Sequence, residues 1–240
     1  MEHLLDRNSE IAFLTETWMQ SEKNAVTAEI QTYGYKLLHN RRKDREKELG
    51  GGVGILVKAS IKAKQLPVKH FQSFEHTVVK VSLSRKRTLY LISVYHVSFA
   101  TISTFMNEFA ELLEVYTIPY EHYVIAGDLN IHAESESSSA KQLKELLDIY
   151  DLQQHVSSPT HNKGHTLDLI ITSSDTNFLT EVNVTEIDLS HHYLIDSKLL
   201  AEVQTYQQKI VTYRSTKNVD LNKFEEDVED RLKHFHNQLT

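Results

Sequence analysis

An α/β fold of stacked mixed sheets flanked by helices is what this sequence predicts, and three features predict it. Apolar runs of strand length recur, among them 55–57, 88–95, 123–126 and 169–171. Between them lie segments with apolar residues at helical spacing, above all Ile102, Phe105, Met106, Phe109, Leu112, Leu113 and Tyr116. Polar side chains stand at the ends of the apolar runs, as they do where layered strands deliver residues to a cleft.

Taken in order, Ile11-Ala12-Phe13-Leu14 reads as a short buried strand running into Glu16 and Trp18, and a helix follows to about Ile30. The stretch from Lys36 to Glu48, with Arg41, Arg42 and Lys43, reads as an exposed loop or hairpin arm. It either touches a nucleic-acid backbone or is simply a solvated charge run. Gly50 to Gly54 holds four of the seven glycines and reads as a tight turn into the strand Ile55-Leu56-Val57, since no Lys-Ser/Thr follows to make a phosphate loop. Thr77–Leu83 and Thr88–Tyr95 form a hairpin across Ser84-Arg85-Lys86-Arg87, and the helix of Ile102 to Tyr116 comes next.

Tyr123-Val124-Ile125-Ala126-Gly127-Asp128-Leu129-Asn130-Ile131-His132 is the stretch around which the chain is organised. An apolar strand breaks at a glycine and presents Asp128, Asn130 and His132 on alternate positions, which share one side of an extended backbone. Such groups bind a hard cation, orient a water or hold a phosphoryl oxygen, unless the stretch is merely a strand ending in a polar turn. A helix carrying Leu143, Leu146, Leu147 and Tyr150 on one face follows. Thr166–Ile171 is then a buried strand interrupted by Asp168, a carboxylate that needs a partner. Strands at Thr180–Thr185 and Tyr193–Leu199 bracket His191 and His192, and a histidine opposite a buried carboxylate has its tautomer and charge set by it. Ile210–Arg214 is strand-like, and Leu221, Phe224, Val228, Leu232 and Phe235 mark a last amphipathic helix. The economical division is one main domain, 1–203, with an appendage at 204–240.

Composition sets the bounds. The 240 residues suffice for a sizeable core, with 40% hydrophobic and 25% charged residues and no apolar run near the roughly 18 of a membrane span. No basic-then-apolar leader opens the chain, and zero cysteines leave any metal to oxygen or nitrogen ligands, which fits an intracellular protein. A net charge of −7 excludes a uniformly basic nucleic-acid coat but not a local patch.

Six separated motifs then stand in an informative order: Thr15-Glu16-Thr17-Trp18, Gly52-Val53-Gly54, Val94-Tyr95, Gly127-Asp128-Leu129-Asn130, Thr166-Leu167-Asp168-Leu169-Ile170 and Ser190-His191-His192. Together they resemble the endonuclease/exonuclease/phosphatase superfamily. Within it, Pro159-Thr160-His161-Asn162-Lys163-Gly164-His165 before Thr166 is similar to the apurinic-endonuclease-like domain of LINE-type (non-LTR) retrotransposons. The resemblance spans about Ile11 to Leu200 and implies a four-layer αββα sandwich of two mixed sheets flanked by helices. It implies a divalent metal, normally Mg2+ with Mn2+ as an alternative, no small-molecule cofactor, and hydrolysis of a phosphodiester in DNA. The implied roles are Glu16 as metal ligand, Asp128 orienting the attacking water, Asn130 holding the scissile phosphate and Tyr95 beside it. His192 matches the family histidine and Asp168 the aspartate that orients it. A parent element uses such a domain to nick target DNA so that reverse transcription is primed, which places it in the nucleus when it acts on chromosomal DNA. The 204–240 segment resembles the linker before a reverse transcriptase.

Three departures accompany the matches. His191 stands where the family motif Ser-Asp-His has its aspartate, and Tyr95-His96-Val97-Ser98 replaces Tyr-x-Pro-Pro. The chain also starts too late for the family's first core strand, whose asparagine supports the metal site. These departures define the alternative, a catalytically inactive retroelement-derived remnant that binds nucleic acid or protein. A third reading keeps the chemistry and turns it on a phosphoinositide or nucleotide. Oligomeric state is not legible.

Overall fold

The structure is a computed structural model that describes residues 2–19, 25–42, 50–84, 87–97, 100–175, 177–188, 190–202, 205 and 220–236. Two compact units divide the chain, Met1–Tyr206 and Gln207–Thr240.

A six-stranded sheet carries the first unit. Its strands are β4 (Ala63–Leu66), β5 (Phe74–Ser82), β6 (Thr88–His96), β7 (Tyr123–Asp128), β9 (Asp168–Ser173) and β8 (Leu152–Gln154), in the order β4-β5-β6-β7-β9-β8. Only β6 and β7 run parallel, and their connection is the sixteen-residue helix α3 (Ile102–Thr117), the crossover that a parallel pair requires. Thr101 caps α3 by accepting from Thr104 N at 3.2 Å. Ser137 does the same for α4 (Ser138–Ile149) through Ala140 N at 3.2 Å.

A second sheet, β1 (Ile11–Leu14), β3 (Val53–Lys58) and β2 (Tyr35–Asn40), is ordered β1-β3-β2 and wholly antiparallel. The two mixed sheets expected are thus one mixed sheet and one antiparallel sheet. A separate hairpin joins β10 (Leu179–Thr185) to β11 (Leu194–Leu199).

Side-chain alternation builds four layers from these parts. Val79, Val81, Leu91, Val124, Ala126 and Ile170 face one way from the large sheet and pack on Ile55, Val57 and Phe13 of the small one, with Val184 and Ile195 of the hairpin beside them. From its other face Val78, Ile92, Val94, Ile125 and Ile171 meet Phe105, Phe109, Leu112, Leu113, Leu143 and Leu147 of α3 and α4. Fully buried side chains of this size stabilise by roughly 1.5–3 kcal/mol each. Leu4 of α1 (Glu2–Asp6) and Ile30 of α2 (Ala25–Thr32) cover the outer face of the small sheet against Tyr35 and Leu56. The order is helix, sheet, sheet, helix.

The 36–40 stretch is not an exposed arm. It is β2, whose alternating polar residues hid an edge strand, with Tyr35 and His39 buried. Asn40 Nδ2 donates to the His76 carbonyl at 2.9 Å, tying the two sheets together. The expected strand at Ile210–Arg214 lies outside the described residues. In the second unit, α5 (Leu221–His236) realises the amphipathic spacing, with Leu221, Phe224, Val228 and Leu232 exposed.

Two features of this core are testable. Gly127 has φ +145°, and an added Cβ would stand 2.0 Å from the Val94 carbonyl oxygen of the parallel neighbour. Gly127→Ala is expected to cost about 3 kcal/mol or more, read as a lowered urea midpoint, because strain and backbone overlap add. His76 is buried against Phe71 and Phe74, its Nε2 lacks a partner, and burial with the nearby His70 pushes its pKa down to about 4. The folded state favours the neutral ring, so this stability is fully present above the ordinary value of 6.5 and is lost as pH falls toward about 4. The loss is on the order of 3 kcal/mol. Urea unfolding across that range should show a shallower decline for His76→Phe, and an unchanged decline would remove His76 as the cause.

Candidate active site

Strand register assembles the site. Glu75 pairs with Tyr95 across β5 and β6, Tyr95 with Asp128 across β6 and β7, and Asp128 with Asp168 across β7 and β9. Directly opposed residues point to the same face of a sheet. One row thus carries Glu75, Tyr95, Asp128 and Asp168 at the end of the large sheet.

Glu16 reaches this row from the small sheet. Ser93 Oγ donates to the Leu14 carbonyl at 3.4 Å, holding β1 above β6, and Tyr95 Oη donates to Glu16 Oε1 at 2.5 Å. Burial, then the Glu16 hydrogen bond and the Glu16 and Asp128 charges, hold the Tyr95 hydroxyl well above its usual range. Glu16 and Trp18 have φ of 49° and 54°, a left-handed backbone that non-glycine residues seldom adopt. The glycine turn imposes that conformation: Thr17 N donates to Gly52 O at 3.1 Å and Trp18 N to Gly51 O at 2.9 Å. Gly52, at φ +87°, leaves no room for a Cβ, which would lie 2.5 Å from Thr17 Oγ1.

The turn is itself anchored. Glu75 accepts from Gly52 N through one oxygen and from Arg42 Nε through the other. Arg42, expected on an exposed arm that is either a solvated charge run or a nucleic-acid contact, is instead in an ion pair whose side chains are each 16% exposed. Lys43 lies outside the described residues. Sequence reasoning missed both Arg42 and Glu75 as supports, because their pairing appears only once β5 is in register with Tyr95.

On the other side, His192 Nδ1–H donates to Asp168 Oδ2 at 2.8 Å, and its Nε2 lies 3.9 Å from Asp128 Oδ2. The bond to Asp168 raises the His192 pKa against the opposing effect of burial. Asp128 is 3% exposed, and burial, with the Asp168 charge next, pushes its carboxyl up to about 7. Thr160, fully buried and also missed, orders this side: its hydroxyl accepts from Leu167 N and Asp168 N at 3.0 Å each, and its carbonyl accepts from Tyr193 N at 2.7 Å. Its place in the Pro159-Thr160 motif was the available signal.

Asn130, at φ 49°, donates its backbone N–H to Asp128 Oδ1 at 2.8 Å and its amide to the His96 carbonyl at 2.7 Å. One amide N–H is thereby used in orientation, and the group has a second to offer. Glu16, Tyr95, Asp128, Asn130, Asp168 and His192 thus converge. His191 is exposed and accepts from Asn162 Nδ2 at 2.8 Å through Nδ1. His132 lies outside this group, stacked on His165.

A cation suits the arrangement. Asp128 and Asp168 bring two carboxylates together beside His192, one polar atom of each of the three within 4.8 Å of the others, and Glu16 adds a carboxylate whose charge acts on Asp128. Burial first and the neighbouring carboxylates second raise the Asp128 pKa, and a bound divalent ion relieves both costs of holding the charge there.

A family described as the endonuclease/exonuclease/phosphatase family matches residues 1–189. The solved endonuclease domain of TRAS1, a telomere-specific non-LTR retrotransposon, is 16% identical, with 83% of this chain and 89% of that one covered at a TM-score of 0.64. The human Nocturnin catalytic domain with bound sulfate is 15% identical, covering 82% and 84% at 0.58. The D. rerio TDP2 complex with a single-stranded DNA product is 13% identical, covering 80% and 84% at 0.53. No curated protein sequence gives a significant match. With residues 1–189 of the chain matched by the family and the fold shared with these structures, the chain belongs to the endonuclease/exonuclease/phosphatase family.

Proposed function

We propose that this chain is a Mg2+-dependent phosphodiesterase that nicks DNA. The observation that carries this reading is His192, held by Asp168 on one side and facing Asp128 on the other, with Tyr95 next in the row and bonded to Glu16. The DNA substrate is supported by likeness to an endonuclease domain and to a structure holding a DNA product. Action on chromosomal DNA would place the protein in the nucleus.

Glu16, with Asp128 at its side, would hold the metal; once bound, a divalent ion neutralises charge developing on phosphoryl oxygens. The chain's own residues supply the rest. Asp128 accepts a hydrogen bond from a water and aligns it with the phosphorus. Asp168 keeps His192 oriented and protonated, so that Nε2–H donates to a nonbridging phosphate oxygen. The second amide N–H of Asn130 donates to the same phosphate, and Tyr95 keeps Glu16 in place. The segment 204–240 is proposed as a linker of the kind that precedes a reverse transcriptase.

Purified chain should convert supercoiled plasmid to the nicked form with Mg2+ and lose this with chelator. Asp128→Ala and His192→Ala are each expected to reduce the rate by about a hundredfold or more. Plasmid left intact by the unaltered chain at high Mg2+ would overturn the catalytic reading.

One observation favours the inactive remnant: His191 places an imidazole where the family resemblance has a carboxylate, removing an anion from the metal's surroundings. His191→Asp should raise nicking about tenfold or more if that residue limits metal binding. DNA binding without cleavage by both forms would support the remnant instead.

A further inference from the structure

β7 and β9 run antiparallel with Asp128 opposite Asp168, so the chain leaving β7 passes the chain entering β9. Contact continues past both strand ends, with Leu129 N donating to Leu167 O at 3.0 Å and Ala133 N to Thr166 O at 3.1 Å. This brings His132 and Glu134 against His165. The two imidazoles stack at 3.8 Å with 19° between their planes. His165 Nδ1–H donates to Glu134 Oε1 at 3.0 Å, and Thr166 N–H holds Glu134 Oε2 at 2.9 Å. Each residue offers a ligand atom within 4.8 Å of the other two, and none belongs to the Asp128, Asp168 and His192 group.

We propose that His132, Glu134 and His165 form a second metal site, for a cation of the Zn2+ class, which ties the loop after β7 to the loop before β9. The donor set selects that class. Two imidazoles and one carboxylate suit Zn2+, Co2+ or Ni2+, whereas Mg2+ prefers oxygen donors and keeps its waters. Tetrahedral ligands on bonds of about 2.0–2.1 Å lie about 3.4 Å apart, so the three groups draw together from within 4.8 Å and the two rings turn out of their stack to aim a nitrogen each at the ion. His132 and Glu134 are exposed, which leaves room for that adjustment, and solvent completes the fourth position. The Thr166 N–H bond orients Glu134 as an outer partner orients a ligand. Without a cation the same residues form a stacked and hydrogen-bonded clasp, so the two roles part on the response to added metal.

The full chain in saturating Mg2+, which fills the oxygen-rich centre, is titrated with Co2+ as a visible-absorption probe and then with Zn2+. A single equivalent of Co2+ should give tetrahedral absorption bands that Zn2+ abolishes, and Zn2+ should raise the melting temperature. His132→Ala and Glu134→Gln should each weaken Co2+ binding by more than about tenfold and remove the thermal effect of Zn2+. Asp128→Ala should keep the bands. Glu134→Gln preserves the shape and the acceptor for Thr166 N–H, so its loss of affinity reports ligation rather than unfolding. The proposal is overturned by absence of bands, by unchanged affinity in both variants, or by bands that vanish in Asp128→Ala.

Discussion

Everything at the site hangs on the register of the six-stranded sheet. Glu75, Tyr95, Asp128 and Asp168 share one row only because four strands, one of them delivered by the α3 crossover, pair in that alignment. A slip of one residue turns every side chain of a strand to the other face. The row would then be lost, and Val94, Ile125 and Ile171 would turn away from α3 and α4. The hydrophobic core therefore enforces the geometry of the polar edge.

That edge opposes the core electrostatically. Asp128 is buried beside Asp168, the Asn130 N–H and His192 offset its charge only in part, and its raised pKa reflects that burial first and the neighbouring carboxylate second. Strain accompanies it, in the left-handed backbone of Glu16, Trp18 and Asn130. The supporting contacts lie one step back: Arg42 and Glu75 hold the glycine turn, which holds Glu16, while Thr160 holds Asp168 and Tyr193. Free energy stored at a cleft is retained where surrounding hydrogen bonds over-determine the conformation.

Much of this was legible because periodicity survives translation into structure. The β5–β6 hairpin, α3, α4, β7 and the β10–β11 pair fall within a few residues of their sequence expectations, for each has a strong apolar pattern. β2 was not legible, since Tyr35-Lys36-Leu37-Leu38-His39-Asn40 lies beside a charge run and its polar positions face neighbouring sheets or solvent. β4 and β8, of four and three residues, are too short to carry a period. Arg42 was read as part of a surface patch because charge type does not disclose a partner thirty-three residues away.

Sequence by itself determined which residues carry charge and lone pairs, where the apolar periods of two and 3.6 begin and end, and the absence of thiolate ligands. It also placed Glu16, Tyr95, Asp128, Asn130, Asp168 and His192 at the ends of those periods. Only the tertiary structure decided that these ends meet, that Arg42 faces Glu75 rather than solvent, and that His132 lies on His165. The reason is physical: local pattern acts through neighbours along the chain, whereas register, pairing of charges and shared burial are properties of segments brought together by a common core.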